Sequence, residues 1–323
     1  MKEENFLRRR GVVVTLAVLC CLLWGSAFPC IKLGYEWFAI GADDTFSQIL
    51  FAGLRFALAG AGVVAAGSVR ARRFLLPQTK RTWRRCGILA LVQTVAQYVF
   101  FYIGLAHTSG VKASVLVASN VFFAILLSAL AFRQEKLQFK NILGCLLGFA
   151  GVVLVNLSSG GLGGGFTLAG DALMLLSALA YAFSSVLIKS FSKEDDPVTL
   201  SGWQFFLGGL VMAAAGAAGG GTITVWQPKG VWMLVYLAFV SAAAYTVWGL
   251  LLKYNNVSTV TVIGFMNPVF GVLLSALALG ETDQALRLQN LAALVLVCAG
   301  IFAVNMSNNR KVSKNIQTQE YVD

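Results

Sequence analysis

The sequence predicts an all-α integral membrane protein, with ten transmembrane helices arranged as two inverted five-helix repeats. Three observations carry this. Of the 323 residues, 58% are hydrophobic and 12% charged, with a mean hydropathy of +0.75, whereas ordinary soluble domains carry about a quarter charged residues. Apolar runs long enough to cross about 30 Å of hydrocarbon recur along nearly the whole chain. The second half then repeats the first at an offset of roughly 150 residues.

The ten runs lie at 11–33, 47–68, 83–106, 111–132, 140–157, 168–190, 198–218, 230–252, 257–279 and 287–306. Each is bounded by charges or by Gly, Pro and Asn clusters. The first exceeds the apolar core of a cleaved leader and is followed by nine more, so it is expected to remain in the membrane. Residues 1–10 form a cytoplasmic N-terminal segment, 11–157 the first repeat, 158–167 a Gly-rich linker, 168–306 the second repeat and 307–323 a cytoplasmic polar tail.

The net charge of +11 is distributed by topology. Lys and Arg concentrate in alternate connections: Arg8 to Arg10, seven basic residues from Arg70 to Arg85, Arg133 to Lys140, and Arg310 to Lys314. This is the positive-inside pattern, and it predicts a multi-pass protein of the plasma (inner) membrane with both termini cytoplasmic. The basic cluster at 70–85 is expected to meet anionic lipid headgroups, and no nucleic-acid partner is implied. Six cysteines at unrelated spacings and a single histidine give neither a disulfide framework nor a metal site. No cofactor is expected.

The repeat is visible in detail. LLSALAF at 126–132 returns as LLSALAL at 273–279, an offset of 147 that also places Asn120 on Asn267 and Tyr98 on Tyr245. At an offset of 149, GLRFALAG aligns with GWQFFLGG at 202–209, setting Gln204 opposite Arg55. In the first span of each half the offset is 157, pairing Trp24 with Tyr181 and Lys32 with Lys189. The difference locates an insertion in GYEWFAIGADDTF. Each repeat has five spans, an odd number, so the second enters the membrane from the opposite side. Inverted halves are the architecture of secondary transporters, which hold substrate near the midplane between the halves. The joint SSGGLGGGF lacks a Walker lysine and does not match GxGxxG, so it reads as a flexible linker.

WGSAF at 24–28, RFALAG at 55–60, NVFFAILLSALAFRQE at 120–135, its answer NPVFGVLLSALALGE at 267–281, and AGIFAVN at 299–305 together resemble the EamA family of the drug/metabolite transporter superfamily. The resemblance covers residues 11 to 306. It implies that spans one to four and six to nine surround a central cavity, with spans five and ten peripheral. It also implies secondary transport of small metabolites, commonly amino acids or related compounds and often outward.

Arg55 is the residue that stands out. A charge in hydrocarbon costs at least about 2.5–3.5 kcal/mol on insertion scales, so it must face protein, water or a partner. Gln48, Ala52, Arg55, Ala59, Gly62 and Ala66 form one small and polar stripe at helical spacing, which turns Arg55 into the bundle. Three uses remain open: tying down backbone carbonyls at broken helices or snorkelling to the outer interface, binding a substrate carboxylate or phosphate, or pairing with Glu36, Asp43 or Asp44 in the outer loop. The interior of the spans contains no Asp or Glu, which favours a ligand role and leaves no obvious proton carrier. His107 reads as an interfacial residue. Movement is then downhill, coupled through the substrate, or coupled through an ion held by exposed carbonyls.

Other candidate substrate-binding residues follow from depth and polarity. With Gln93, the candidates Gln97, Tyr98 and Tyr102 form a polar and aromatic stripe in span three, answered by Tyr245 and Trp248 in span eight. Such aromatics give contact area and one hydrogen bond at little rotamer cost. Trp24, Trp203 and Gln204 join them, as do the repeat mates Asn120 and Asn267. Asn267 precedes Pro268, which breaks a helix bond and frees a carbonyl. The spacing Gly144-x-x-x-Gly148 permits close helix contact, either within the bundle or across a homodimer.

The expectation is an alternating-access exporter of amino acids or related anionic or zwitterionic metabolites, with no enzymatic activity. An alternative is uptake of a quaternary amine such as choline in an aromatic cage of Trp24, Tyr98, Tyr245 and Trp248. Arg55 discriminates between them, because a guanidinium facing the cavity repels a permanent cation. A remote alternative is a membrane enzyme acting on lipid intermediates, for which Glu36, Asp43 and Asp44 are the only candidate acids.

Overall fold

A computed structural model describes residues 2–41, 43–107, 116–158 and 167–279, together with 292, 295–296, 298–300 and 303. The regular structure among these residues is all helical. A short helix, Lys2–Arg8, leads into α1 (Arg10–Trp37), followed by α2 (Thr45–Ala71). Next comes α3, which comprises Lys80–Leu89, a π-helical stretch Ala90–Ala96 and Gln97–Ala106. After it come α4 (Leu116–Ala131) and α5 (Phe139–Ser158). Helix α6 opens with a π-helical turn, Leu168–Ala172, and continues over Leu173–Phe191. The last elements are α7 (Pro197–Ala218), α8 (Pro228–Tyr254) and α9, built from Val257–Thr261, a 3-10 turn Val262–Phe265 and Met266–Leu279.

Six of these (α1, α2, α3, α6, α7 and α8) are long and apolar enough to cross a membrane, while α4, α5 and α9 contain shorter apolar helical stretches, Leu116–Ala131, Phe139–Gly151 and Val257–Gly271. The first nine apolar runs of the sequence therefore coincide with helices. The expected tenth span at 287–306 lies mostly outside the described residues, although positions 292, 295–296, 298–300 and 303 are helical. Residues 159–166 of the expected linker and the tail at 307–323 also lie outside them.

The helix starts are specified locally. Asp44 caps α2 by accepting from Ser47 N at 3.0 Å, and Thr79 caps α3 by accepting from Thr82 N at 3.0 Å. Asp196 precedes Pro197 at the first turn of α7 and accepts from Thr199 N at 2.9 Å, so an orphan donor is satisfied where proline has none to offer. The start of α9 is capped from the other half of the chain: Glu135, just after α4, accepts from Ser258 N at 3.0 Å and from Ser258 Oγ at 2.9 Å.

The closest packing is between α2 and α7, the second helix of each half. A Cβ added at Gly60 would lie 2.6 Å from Gly202 O, one at Gly53 2.6 Å from Ala213 Cα, and one at Gly216 2.6 Å from Leu50 N. Residue numbers rise along one helix as they fall along the other, so the pair is antiparallel. Glycine is required at this seam because any side chain would hold the backbones apart. Elsewhere the pattern is reciprocal: α1 packs on α8 and α9 of the other half, and α6 packs on α3 and α4. Helix α5 is peripheral and rests chiefly on α4 and α9. Its glycines are used within the chain, since a Cβ at Gly300 would meet Gly144 O at 2.5 Å and Gly148 N at 2.8 Å.

Candidate functional site

Helices α1, α2, α3, α4, α6, α8 and α9 converge on a cavity of about 100 Å³. The π-helical stretch of α3 ends directly before Gln97 and Tyr98, and the extra residue per turn resets the face presented beyond it. Gln93, inside the stretch, is directed to α7, while Gln97 and Tyr98 reach the cavity.

The wall is aromatic on one side. Trp24 meets Tyr245 and Trp248 edge-on at 5.0 Å and Tyr181 at 6.2 Å. Tyr98 and Tyr245 share a hydroxyl–hydroxyl hydrogen bond of 2.6 Å. Edge-to-face packing of this kind fixes the rings without filling the space between them.

Arg55 enters the same cavity from α2 and is 2% exposed. Its Nε donates to Leu237 O at 3.2 Å and to Ser241 Oγ at 3.1 Å, both on α8, and its guanidinium carbon sits 5.1 Å over the Phe56 ring. The Tyr102 hydroxyl lies beside the guanidinium. Among the described residues no carboxylate pairs with Arg55, so the expected alternative of an ion pair to Glu36, Asp43 or Asp44 is absent there. The carbonyl-tethering and cavity-facing roles coincide: Nε anchors the side chain while the charge remains at the wall.

Four further polar atoms complete the site. The indole N–H groups of Trp24 and Trp248, Gln97 Oε1 and Asn267 Oδ1 are buried with no hydrogen-bond partner in the described chain, and all four residues line the cavity. Buried donors and acceptors are ordinarily paired, because leaving one unmade costs about 1–3 kcal/mol. Two donors and two acceptors in the residues around the cavity, which Arg55 also lines, are therefore without counterparts in the described chain. Near Pro268, Cys21 Sγ of α1 donates to Ile263 O at 3.4 Å, while Asn267 Oδ1 has no partner in the described chain.

A larger cavity of about 620 Å³ opens at the arginine-rich ends of α2 and α3. Its acids are already engaged: Asp195 and Glu194 hold Arg85, and Asp196 caps α7. Among the described residues, none of those lining it has a buried polar side-chain atom left without a partner.

The family model described as the EamA-like transporter family matches residues 11–157 and 168–306. The chain belongs to this family. An uncharacterized transporter of Archaeoglobus fulgidus is 28% identical to this EamA-like chain over 82% of its length and 89% of the relative's. A probable amino-acid metabolite efflux pump of Escherichia coli is also 28% identical, over 91% and 94% of the two chains. The Salmonella typhimurium protein of the same description is 28% identical over 89% and 92%. A solved crystal structure shares the fold with a TM-score of 0.73 at 20% identity, covering 93% of this chain and 98% of that one.

In this EamA-like chain, eight of the residues singled out from sequence meet at the cavity: Trp24, Arg55, Gln97, Tyr98, Asn120, Tyr245, Trp248 and Asn267. Three do not line it. Tyr102 is buried beside Tyr98 and Phe101, behind Arg55. Gln204 donates to Gln93 across the α7–α3 contact at 2.5 Å, so repeat symmetry with Arg55 does not carry it into the cavity. Trp203 packs on Trp83 at 4.8 Å and donates to Leu75 O at 2.8 Å, at the arginine-rich end. His107 is exposed at the end of α3, where Nδ1 contacts Ile103 O at 2.8 Å. Sequence reasoning missed Tyr181, Ser177 and Thr261 in the wall. For Tyr181 the signal was present, since it is the repeat mate of Trp24.

Proposed function

We propose that the chain is a secondary carrier that moves a small carboxylate bearing an amino or hydroxyl group, an amino acid or close relative, out of the cell by alternating access. The observation that carries this is Arg55: a buried cation anchored through Nε, presented to a cavity, with no carboxylate of the described chain beside it. An uncompensated buried charge is costly, and a bound carboxylate relieves that cost. The indole N–H groups of Trp24 and Trp248 add donors for the same anion, and Gln97 Oε1 and Asn267 Oδ1 accept from an ammonium or hydroxyl. The Escherichia coli and Salmonella typhimurium relatives, described as probable amino-acid metabolite efflux pumps, support the substrate class and the direction.

The carrier reading includes ten membrane spans in two inverted halves, insertion in the plasma membrane and cytoplasmic termini. The antiparallel α2–α7 seam, the reciprocal packing of α1 and α6 and the charge bias of the connections support it. The cavity volume of about 100 Å³, well under the roughly 300–1,000 Å³ of drug-sized sites, suits a small metabolite.

The aromatic box that a quaternary amine requires is assembled, with Trp24, Tyr98, Tyr245 and Trp248 all in the wall. Arg55 shares that cavity, however, and repels a permanent cation. The deciding experiment is uptake into everted vesicles by wild type, Arg55→Lys and Arg55→Ala, using anionic, zwitterionic and cationic panels. Carboxylate transport should fall at least about 100-fold in the alanine variant, the scale of losing a charge-assisted contact at about 3 kcal/mol, and recover partly in the lysine variant. Unchanged carboxylate transport by Arg55→Ala at normal protein level rejects the reading.

A further inference from the structure

We propose that the two ends of the translocation path are closed by symmetry-related contacts of opposite chemistry: an ionic latch centred on Arg85 and Asp195, and an aromatic latch centred on Phe38. The proposal rests on the alternating-access reading and adds to it the identity of the gates.

The ionic latch joins the two halves at the arginine-rich end. Arg85, on the first turns of α3, is 8% exposed although it carries a permanent charge. Its Nη1 lies 2.5 Å from Asp195 Oδ2 and its Nη2 2.9 Å from Glu194 Oε2, both acids being in the connection between α6 and α7. Asp195 also accepts from Thr82 Oγ1 at 2.7 Å, and Arg81 pairs with Glu194 at 2.8 Å. Nearby, Trp203 Nε1 fastens the connection before α3 by donating to Leu75 O. All these contacts run from the first repeat to the second.

The repeat offsets identify the counterpart. The connection after α1, which contains the eight-residue insertion, corresponds to the connection after α6 that contains Asp195, and the 147-residue offset that pairs Tyr98 with Tyr245 carries Thr82 onto Lys229 and Trp83 onto Gly230. Phe38 packs on that very part of α8: a Cβ at Gly230 would meet its ring at 3.2 Å. Phe38 is 1% exposed and meets Trp226 at 5.4 Å and Phe51 at 5.6 Å. Beside it, Lys229 Nζ sits 5.2 Å over the Trp37 ring. The connection after the first helix of each half thus closes on the start of the third helix of the other half, with a carboxylate at one end and a phenyl ring at the other.

The chemistry makes the two closures unequal. Opening the ionic latch returns charges to water, which solvates them, whereas opening the aromatic latch exposes apolar surface. Removing Arg85 leaves the buried Asp195 without its cation, and removing Asp195 leaves Arg85 with only the half-exposed Glu194, so either change favours the open end. The two latches are therefore separately adjustable.

Native cysteines report on both. Cys86 follows Arg85 and is fully buried, and Cys30, half-buried on α1, lies between the cavity and Phe38. The test is N-ethylmaleimide modification of the full chain in lipid nanodiscs without substrate, with each cysteine-bearing peptide quantified by mass spectrometry. Arg85→Gln and Asp195→Asn should each speed Cys86 modification about tenfold or more, as expected when a buried ion pair loses a partner, without speeding Cys30. The exchange Arg85→Asp with Asp195→Arg should return Cys86 to slow modification. Phe38→Ala should speed Cys30 alone. The proposal is overturned if Cys86 stays slow in both folded single variants, or if Cys30 and Cys86 accelerate together, which marks general loosening. Because no substrate is present, failure here is distinct from failure of the Arg55 transport assay.

Discussion

Tyr98 and Tyr245, separated by 147 residues and occupying the same place in the two repeats, hydrogen-bond to each other through their hydroxyls at 2.6 Å. The contact joins a residue to its own repeat mate, so it marks where the two halves meet at the centre of the bundle. Since both rings also line the cavity, its wall and the inter-half contact share one pair of side chains.

The bond predicts a distinctive mutational pattern. Either Tyr98→Phe or Tyr245→Phe leaves one buried hydroxyl without its partner, at a cost of about 1–3 kcal/mol, while the double variant removes both groups and should cost less than the sum. Thermal unfolding in detergent across the four proteins checks this. Strict additivity would show that the hydroxyls do not interact.

Ser241 holds Arg55 without belonging to the cavity wall. Ser241→Ala keeps the Leu237 carbonyl as anchor but loosens the guanidinium, so the substrate concentration for half-maximal transport should rise by roughly 5- to 10-fold, equivalent to the ~1 kcal/mol of one hydrogen bond. Maximal rate should change little. Concentration dependence of initial rates in vesicles separates the two.

The α2–α7 seam has no room for a side chain. Gly60→Val and Gly53→Val should each destabilise the protein by about 1–3 kcal/mol or more through forced separation of the helices, with lower melting temperature and yield. Gly62→Val, on the same helix where a Cβ would meet nothing within 4 Å, is the matched control and should be close to wild type.

Glu135 caps α9 through two hydrogen bonds to Ser258. Glu135→Ala should cost about 1–2 kcal/mol, in the range of a lost helix cap, and Glu135→Gln should recover part of it. Hydrogen exchange at residues 257–261 locates the effect, since global loosening would not be confined to that turn.

Much of the fold is legible in the sequence because bilayer thickness imposes one length on every span, and the first nine apolar runs fall on helices accordingly. The aromatic and amide wall is legible for a second reason: Tyr98, Tyr245, Asn120 and Asn267 are too deep for an interfacial role and recur in both halves. Periodicity, however, reports only that a side chain faces inward, not which neighbour it meets. Gln204 faces inward, yet it meets Gln93 on α3, and Trp203 reaches back to the connection preceding α3. The pairing of Arg85 with Asp195 was hidden for another reason, because a basic residue beside the membrane is already explained by topology. The acidic partner lies 110 residues away.

The cap on α9 also bears on how the chain is built. Glu135 precedes Ser258 by 123 residues, so during synthesis the carboxylate emerges from the ribosome before the segment that uses it exists. The start of α9 is thus complete only once both halves are present, and translation delivers the capping group first.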